Sequence, residues 1–302
     1  MICRLILLLG LLPVLGLRAA DVAPGMLLLD GAVVGPDIVA VGEHGTILRS
    51  ADNAHTWQIA PAPASATLTG VSFADDALHG WAVGHDAVIL ATTDAGRTWL
   101  KSWQGENLQD SFLDVLALDA RHAIAVGAYG LVLSTADGGT TWTRLKVIAD
   151  DNHLNRITRG PTGTLYVAGE RGTLLRSTDA GATWASIAAP YDGSFYGILP
   201  LDKRTLIAYG LRGRLFRSVD DGATWEPVAT SQPLLFATAL KLKSNYFVLA
   251  GQARALLVSR DYGRTVVTWP VPLTTAVAEL LETPDGAVVA LGEAGATLLP
   301  KP

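Results

Sequence analysis

The sequence predicts an all-β fold, a seven-bladed β-propeller of four-stranded antiparallel blades. Three observations predict it: a composition suited to short strands, a period of about 42 residues running through the chain, and a turn motif recurring once per period. Of the 302 residues, 49% are hydrophobic, only 17% are charged, and 31 are glycine. Such a chain is too apolar for disorder and richer in turn formers than a helical bundle. Glycines at 42, 84, 127, 169, 210, 251 and 292 are spaced 42, 43, 42, 41, 41 and 41 residues apart, and a fixed period of this length marks propeller blades.

The unit is clearest in VAVGEHGTILRSADNAHTW (39–57), WAVGHDAVILATTDAGRTW (81–99) and IAVGAYGLVLSTADGGTTW (124–142), which align without a gap. YVAGERGTLLRSTDAGATW (166–184) and IAYGLRGRLFRSVDDGATW (207–225) follow, then a sixth copy from 247 with Val266 in place of tryptophan, and a seventh, VALGEAGATLL, at 289–299. Alternation of apolar residues divides unit two into strand A at 68–74, B at 81–85, C at 88–93 and D at 98–103. Four strands cannot bury both faces alone, so the units stack radially. The first A strand is expected at 27–30. The seventh unit has only strands A to C, and Asp21 to Gly25 are expected to supply its outer strand and close the ring.

The start, MICRLILLLGLLPVLGLRAA, has one early charge at Arg4, an apolar run from Leu5 to Leu17, and Ala19 and Ala20 before Asp21. It reads as a secretory signal peptide over 1–20, followed by one propeller domain over 21–302. The run is shorter than the roughly 20 residues that span a bilayer, so the product is expected to be periplasmic, monomeric and at most peripheral to a membrane. Arg18 stands where a small residue is preferred before a cut after Ala20, so cleavage could fall a few residues later. The only cysteine, Cys3, lies in this segment, which leaves the exported domain without a disulfide. A net charge of −5 argues against a nucleic-acid partner.

The recurring S/T-x-D-x-G-x-T-W motif is the Asp-box. Its aspartates are Asp52, Asp94, Asp137, Asp179, Asp220 and Asp261, and its tryptophans Trp57, Trp99, Trp142, Trp184 and Trp225. The carboxylate and the Ser or Thr hydroxyl bond to backbone groups of a C-to-D hairpin, and glycine permits positive φ. The tryptophans are expected to pack between blades. Box one has Ala54 in place of glycine and box six has Val266 in place of tryptophan, so these two turns are expected to be looser. Six histidines show no metal-ligand spacing, and no cofactor or metal is expected. Asp-boxes also occur in sialidases, which makes a carbohydrate-binding or glycoside-hydrolysing propeller the alternative. Against it, no Phe-Arg-Ile-Pro-like element occurs between Asp21 and Ala60, and the connections from each box to the next A strand are too short to wall a cleft.

With these boxes, seven exported units and no catalytic set, the chain resembles the photosystem II stability and assembly factor family over essentially its whole mature length. The resemblance implies a non-catalytic, protein-binding propeller that helps assemble or stabilise a membrane complex. Family members in oxygenic phototrophs serve photosynthesis, binding a reaction-centre protein through an arginine-rich surface. In a bacterium without a photosystem the resemblance implies an exporter accessory role.

Charge is segregated along the chain independently of that resemblance. Residues 21–149 hold 6 basic and 14 acidic side chains, whereas 150–265 hold 14 and 10, with eleven arginines among the basic ones. Arginine suits bidentate contacts to carboxylates. Arg176 and Arg217 are expected merely to cover blade faces with their stems, as Arg49 does. Arg171 and Arg212 occupy equivalent B-to-C turns, Arg214 follows the second, Arg254 lies in the related loop of unit six, and Arg156 starts an A strand. These five are expected to form one cationic patch, on the face opposite the boxes, for an acidic segment of a protein partner.

Overall fold

A computed structural model describes residues 26–230 and 233–302. Within them the chain forms six four-stranded antiparallel sheets and a three-stranded seventh, each with its strands in sequence order. Blade two has strands Leu68–Phe73, Gly80–Gly84, Val88–Thr92 and Leu100–Gln104, within two residues of the sequence expectation. The first A strand runs Leu28–Val34, longer than expected, because it pairs with Asp37–Gly42 through a tight hairpin at residues 35–36. The seventh blade ends with Gly295–Leu299. The signal peptide and the outer strand expected from Asp21 to Gly25 lie outside the described residues.

Burial follows strand order. Every B strand is buried along its full length, and the two-residue D strands at the rim are exposed. A strand buried on both faces needs a neighbouring sheet on each side, and seven hydrophobic clusters supply this, one at each junction. Blades one and two share Val39, Val41 and Ile47 with Leu68, Val88 and Leu90. The closing junction packs Leu28, Ile38, Leu48 and Trp57 of blade one against Leu281, Val289 and Leu291 of blade seven. The A strands of those two blades are in contact, so the ring closes by side-chain packing.

The seven periodic glycines have a common cause. All end a B strand, and a Cβ on Gly42, Gly84, Gly127, Gly169, Gly210, Gly251 or Gly292 would lie 2.0–2.4 Å from the carbonyl oxygen of the residue just before its own A strand. Each A–B ladder slips register there by one residue, and in blades one to six the carbonyl accepts the amide of the residue after the glycine, as Ala128 N–H does to Ser111 O at 2.9 Å. Only glycine allows this approach.

The box tryptophans pack backwards. Trp99 of blade two sits in the cluster shared with blade one, and Trp184 of blade four against the cluster shared with blade three. Trp57 and Trp99 are buried, whereas Trp142, Trp184 and Trp225 are half-buried. Blade six lacks its tryptophan, and Tyr262 packs with Val266 against the blade five junction, its hydroxyl donating to Leu201 O at 3.1 Å. Blade seven has no box, and Trp269 of blade six reaches forward to fill that junction.

Two substitutions test this packing. Trp99→Ala should lower unfolding stability by roughly 3–5 kcal/mol, since a buried indole is lost from a junction. Gly127→Ala should cost about 1–3 kcal/mol by driving Cβ into the Ser111 carbonyl. Both are read from urea denaturation midpoints, and a wild-type midpoint for Gly127→Ala would contradict the close-approach explanation.

Candidate protein-binding face

The six boxes share one bonding pattern. In box three, the Thr135 hydroxyl donates to Asp137 Oδ1 at 2.9 Å and accepts Gly139 N–H at 2.9 Å, while the carboxylate accepts Thr141 N–H at 2.9 Å and the Thr141 hydroxyl at 2.7 Å. Bonds from Thr56, Thr141, Thr183 and Thr224 hold Asp52, Asp137, Asp179 and Asp220 down at about 2. The expectation that boxes one and six are looser is not met. Asp52 accepts Thr56 N–H at 2.8 Å and Asp261 accepts Thr265 N–H at 2.9 Å, and Ala54 adopts φ 67° in the position of the glycine. The carboxylate bonds define the turn, so neither the missing glycine nor the missing tryptophan opens it.

The boxes face one end of the ring and the B-to-C loops the other. Box turns bond to A-to-B turns, as Gly138 N–H does to Arg121 O at 2.9 Å and Asp221 N–H to Arg204 O at 2.8 Å. B-to-C loops bond instead to the D-to-A crossings: Ala87 N–H to Asp110 O at 2.8 Å, Gly130 N–H to Asn152 O at 2.9 Å, and Gly172 N–H to Gly193 O at 2.9 Å. On this second face each loop of blades one to six places two successive residues in the left-handed region, the first of them His44, Asp86, Tyr129, Arg171, Arg212 and Ala253 in turn, with φ between 50° and 59°. All six are exposed. The box turns carry non-glycine left-handed residues as well, Asn53, Ala54, Ala95, Ala180, Asp221 and Tyr262, so what distinguishes this face is the exposed and varied side chains at its loop tips.

Four of the five patch arginines lie on this face. Arg171, Arg212, Arg214 and Arg254 are exposed, and among the described residues none has a carboxylate within ion-pair distance. Tyr191 links them. Its carbonyl lies against the Arg171 loop, where a Cβ on Gly172 would meet it at 2.9 Å. Its ring carries the Arg214 guanidinium at 5.4 Å from the centroid, a cation–π contact. Arg212 and Arg214 border an open groove of about 440 Å³ floored by Leu215, Phe216 and Val228. The next groove, about 120 Å³, is bordered by Arg254 with Phe236 and Leu256. Leu234 lines the second groove and accepts Gly213 N–H beside the first. Among the described residues no carboxylate lines either groove.

Arg156 does not join them. Its Nη2 donates to Glu279 Oε2 at 2.5 Å, across the axis from blade four to blade seven, in a cluster with Asp30, Asp114, Thr238 and Tyr209. Counted from the register slip, Asp30, Gly70, Asp114, Arg156, Gly197, Thr238 and Glu279 hold the same A-strand position in successive blades, so their side chains converge on the axis. The Tyr209 hydroxyl fills the space over Gly197. The sequence carried a signal for this: charged residues, Asp30, Asp114, Arg156 and Glu279, twelve or thirteen positions ahead of the periodic glycine, near the start of an A strand. Arg176 and Arg217 also do more than cover blade faces. Arg176 Nη1 donates to Asp221 of the next blade at 2.7 Å, and Arg217 Nε to Tyr262 O at 2.9 Å. Arg49 is ion-paired with Asp37.

The family model for the photosynthesis system II assembly factor YCF48 matches residues 49–146 and 101–297. The chain belongs to that family. The solved structure of YCF48 bound to D1 peptide has a TM-score of 0.77 to this YCF48-family propeller, at 22% identity, over 94% of this chain and 96% of that one. YCF48 from Cyanidioschyzon merolae gives 0.75 at 18% identity, over 92% and 96%. The WD40 propeller domain of Doa1 gives 0.72 at 11%, over 93% and 95%. At these identities the likenesses carry the fold. A search of the curated proteins found no match.

The structural role of the boxes is testable by acid. Asp220 is held at about 2 when folded, so its contribution is present above the ordinary carboxylate range and is lost as pH falls through that range toward 2. Asp220→Asn should therefore lower the melting temperature at pH 6, and the gap to wild type should narrow between pH 4 and pH 2. A constant gap across that range would contradict the assignment.

Proposed function

We propose that this YCF48-family propeller is an exported, monomeric, non-catalytic assembly factor that holds an acidic, extended segment of a membrane-protein partner. The segment lies on the face of the B-to-C loops, across blades four to six. The observation that carries this reading is the run Arg171, Tyr191, Arg214, Arg212 and Arg254: guanidinium groups with no internal carboxylate partner, set beside two grooves with apolar floors. Guanidinium forks pair with carboxylates in two-point geometry, and the grooves take the neighbouring apolar side chains. The relative solved with D1 peptide supports a peptide ligand. Glycoside hydrolysis needs two carboxyl groups about a bound sugar, and the described lining of the two arginine-bordered grooves holds none. The leader-like start of the sequence supports export to the periplasm.

The test is an anisotropy titration with a short peptide of alternating acidic and apolar residues and with a copy whose carboxylates are changed to amides. Wild type should bind the acidic peptide, more weakly as salt rises, and the amidated copy poorly. Replacing Arg171, Arg212 and Arg254 together by Glu should weaken binding more than about tenfold and leave the melting temperature nearly unchanged. Equal binding by wild type and triple variant would overturn the site, and turnover of chromogenic glycosides would overturn the non-catalytic assignment.

A further inference from the structure

The axial cluster places three buried carboxylates around one guanidinium. Asp30, Asp114 and Glu279 are each under 10% exposed, and with all three ionised they would leave a net charge of about −2 where little water screens it. Their donors are unequally shared. Glu279 accepts Leu280 N–H at 2.9 Å and the Thr238 hydroxyl on Oε1, and Arg156 on Oε2. Asp114 accepts its neighbour Val115 N–H at 2.8 Å on one oxygen and Ile157 N–H of blade four at 2.9 Å on the other. Asp30 receives a single donor among the described residues, Val71 N–H of blade two at 2.7 Å on Oδ2. Asp114 also leans into the space left by Gly70, where a Cβ would stand 3.2 Å from its Oδ1. The groups acting on Asp30 are Glu279 of blade seven, Asp114 of blade three and Arg156 of blade four. The Tyr209 hydroxyl of blade five stands beside the same cluster, and Gly70 and Thr238, from blades two and six, add no charge.

We propose that the axis of the ring carries a bound proton at neutral pH, lodged on Asp30, and that this proton is a pH-dependent clasp for the blades that meet there. A neutral Asp30 keeps its acceptor for Val71, removes one of two uncompensated charges, and leaves Asp114 and Glu279 to share Arg156. Geometry selects Asp30, the carboxyl with the fewest donors. Electrostatics agrees: burial, then the charges of Glu279 and Asp114, pushes Asp30 well above the usual carboxylate range. Burial raises Asp114 to about 6, opposed by Arg156 and the two amides. The folded ring therefore holds protons that the unfolded chain releases. This stabilisation is full below the ordinary carboxylate range and is lost as pH rises through the folded-state values. The clasp is tight in mildly acid medium and loosens in alkaline medium.

The experiment is a melting-temperature series between pH 5 and pH 8 on wild type and Asp30→Asn, which keeps the acceptor and cannot ionise. Wild type should melt higher at pH 5 than at pH 8, and the variant should show a clearly shallower dependence. Parallel curves for the two proteins would overturn the proposal. If Asp30→Asn does not fold, proton release is measured on urea unfolding of wild type at pH 7.5. Release of about one proton per chain supports the clasp, and no release, or uptake, overturns it.

Discussion

The structure rests on one constraint: the B strand of every blade is buried on both faces, so no blade can exist without two neighbours. Each junction must then supply a continuous apolar contact, and the last junction must match the first. The chain meets this with side chains from the sequence neighbours on either side, Trp57 reaching back to blade seven and Trp269 reaching forward from blade six. The axial charges and the periodic glycines are consequences of the same geometry. Strands that converge on one axis bring equivalent side chains together, and strands that slip register by one residue bring a carbonyl against the glycine that ends strand B.

Because packing is confined to the junctions, the two faces of the ring are free to differ. One face is occupied by box turns whose aspartates are committed to local amides and hydroxyls. The other presents loop tips whose backbone strain is held by the D-to-A crossings, and whose side chains vary from His44 and Asp86 in the first two blades to Arg171 and Arg212 in the fourth and fifth. Variation on a constant frame is how a propeller acquires a binding face, and the segregation of arginine along the sequence maps onto adjacent blades of that face.

The fold was legible because its signals repeat: seven glycines and six boxes outweigh any single ambiguous strand. The placement of Arg171, Arg212, Arg214 and Arg254 on the end of the ring opposite the boxes was legible too, since strand alternation decides which loops share an end of the ring. Arg156 was misplaced because sequence shows where an A strand begins but not that its side chain meets Glu279, separated from it by more than a hundred residues. The firmness of box one was missed because glycine was weighed above the carboxylate, although Asp52 bonds to Thr56 as its counterparts bond to theirs. Tyr191 carried no repeat signal, since it lies in a crossing whose sequence is not periodic.

The central claim is that partner binding belongs to the loop face and the boxes belong to the fold. Amide hydrogen exchange of the purified propeller, with and without an excess of the peptide of alternating acidic and apolar residues, tests it directly. The account predicts added protection in the loops around residues 169–173, 210–215 and 251–256, with the box turns around 135–142 and 218–225 unchanged. Protection confined to the box turns, with the arginine loops unaffected, would contradict it.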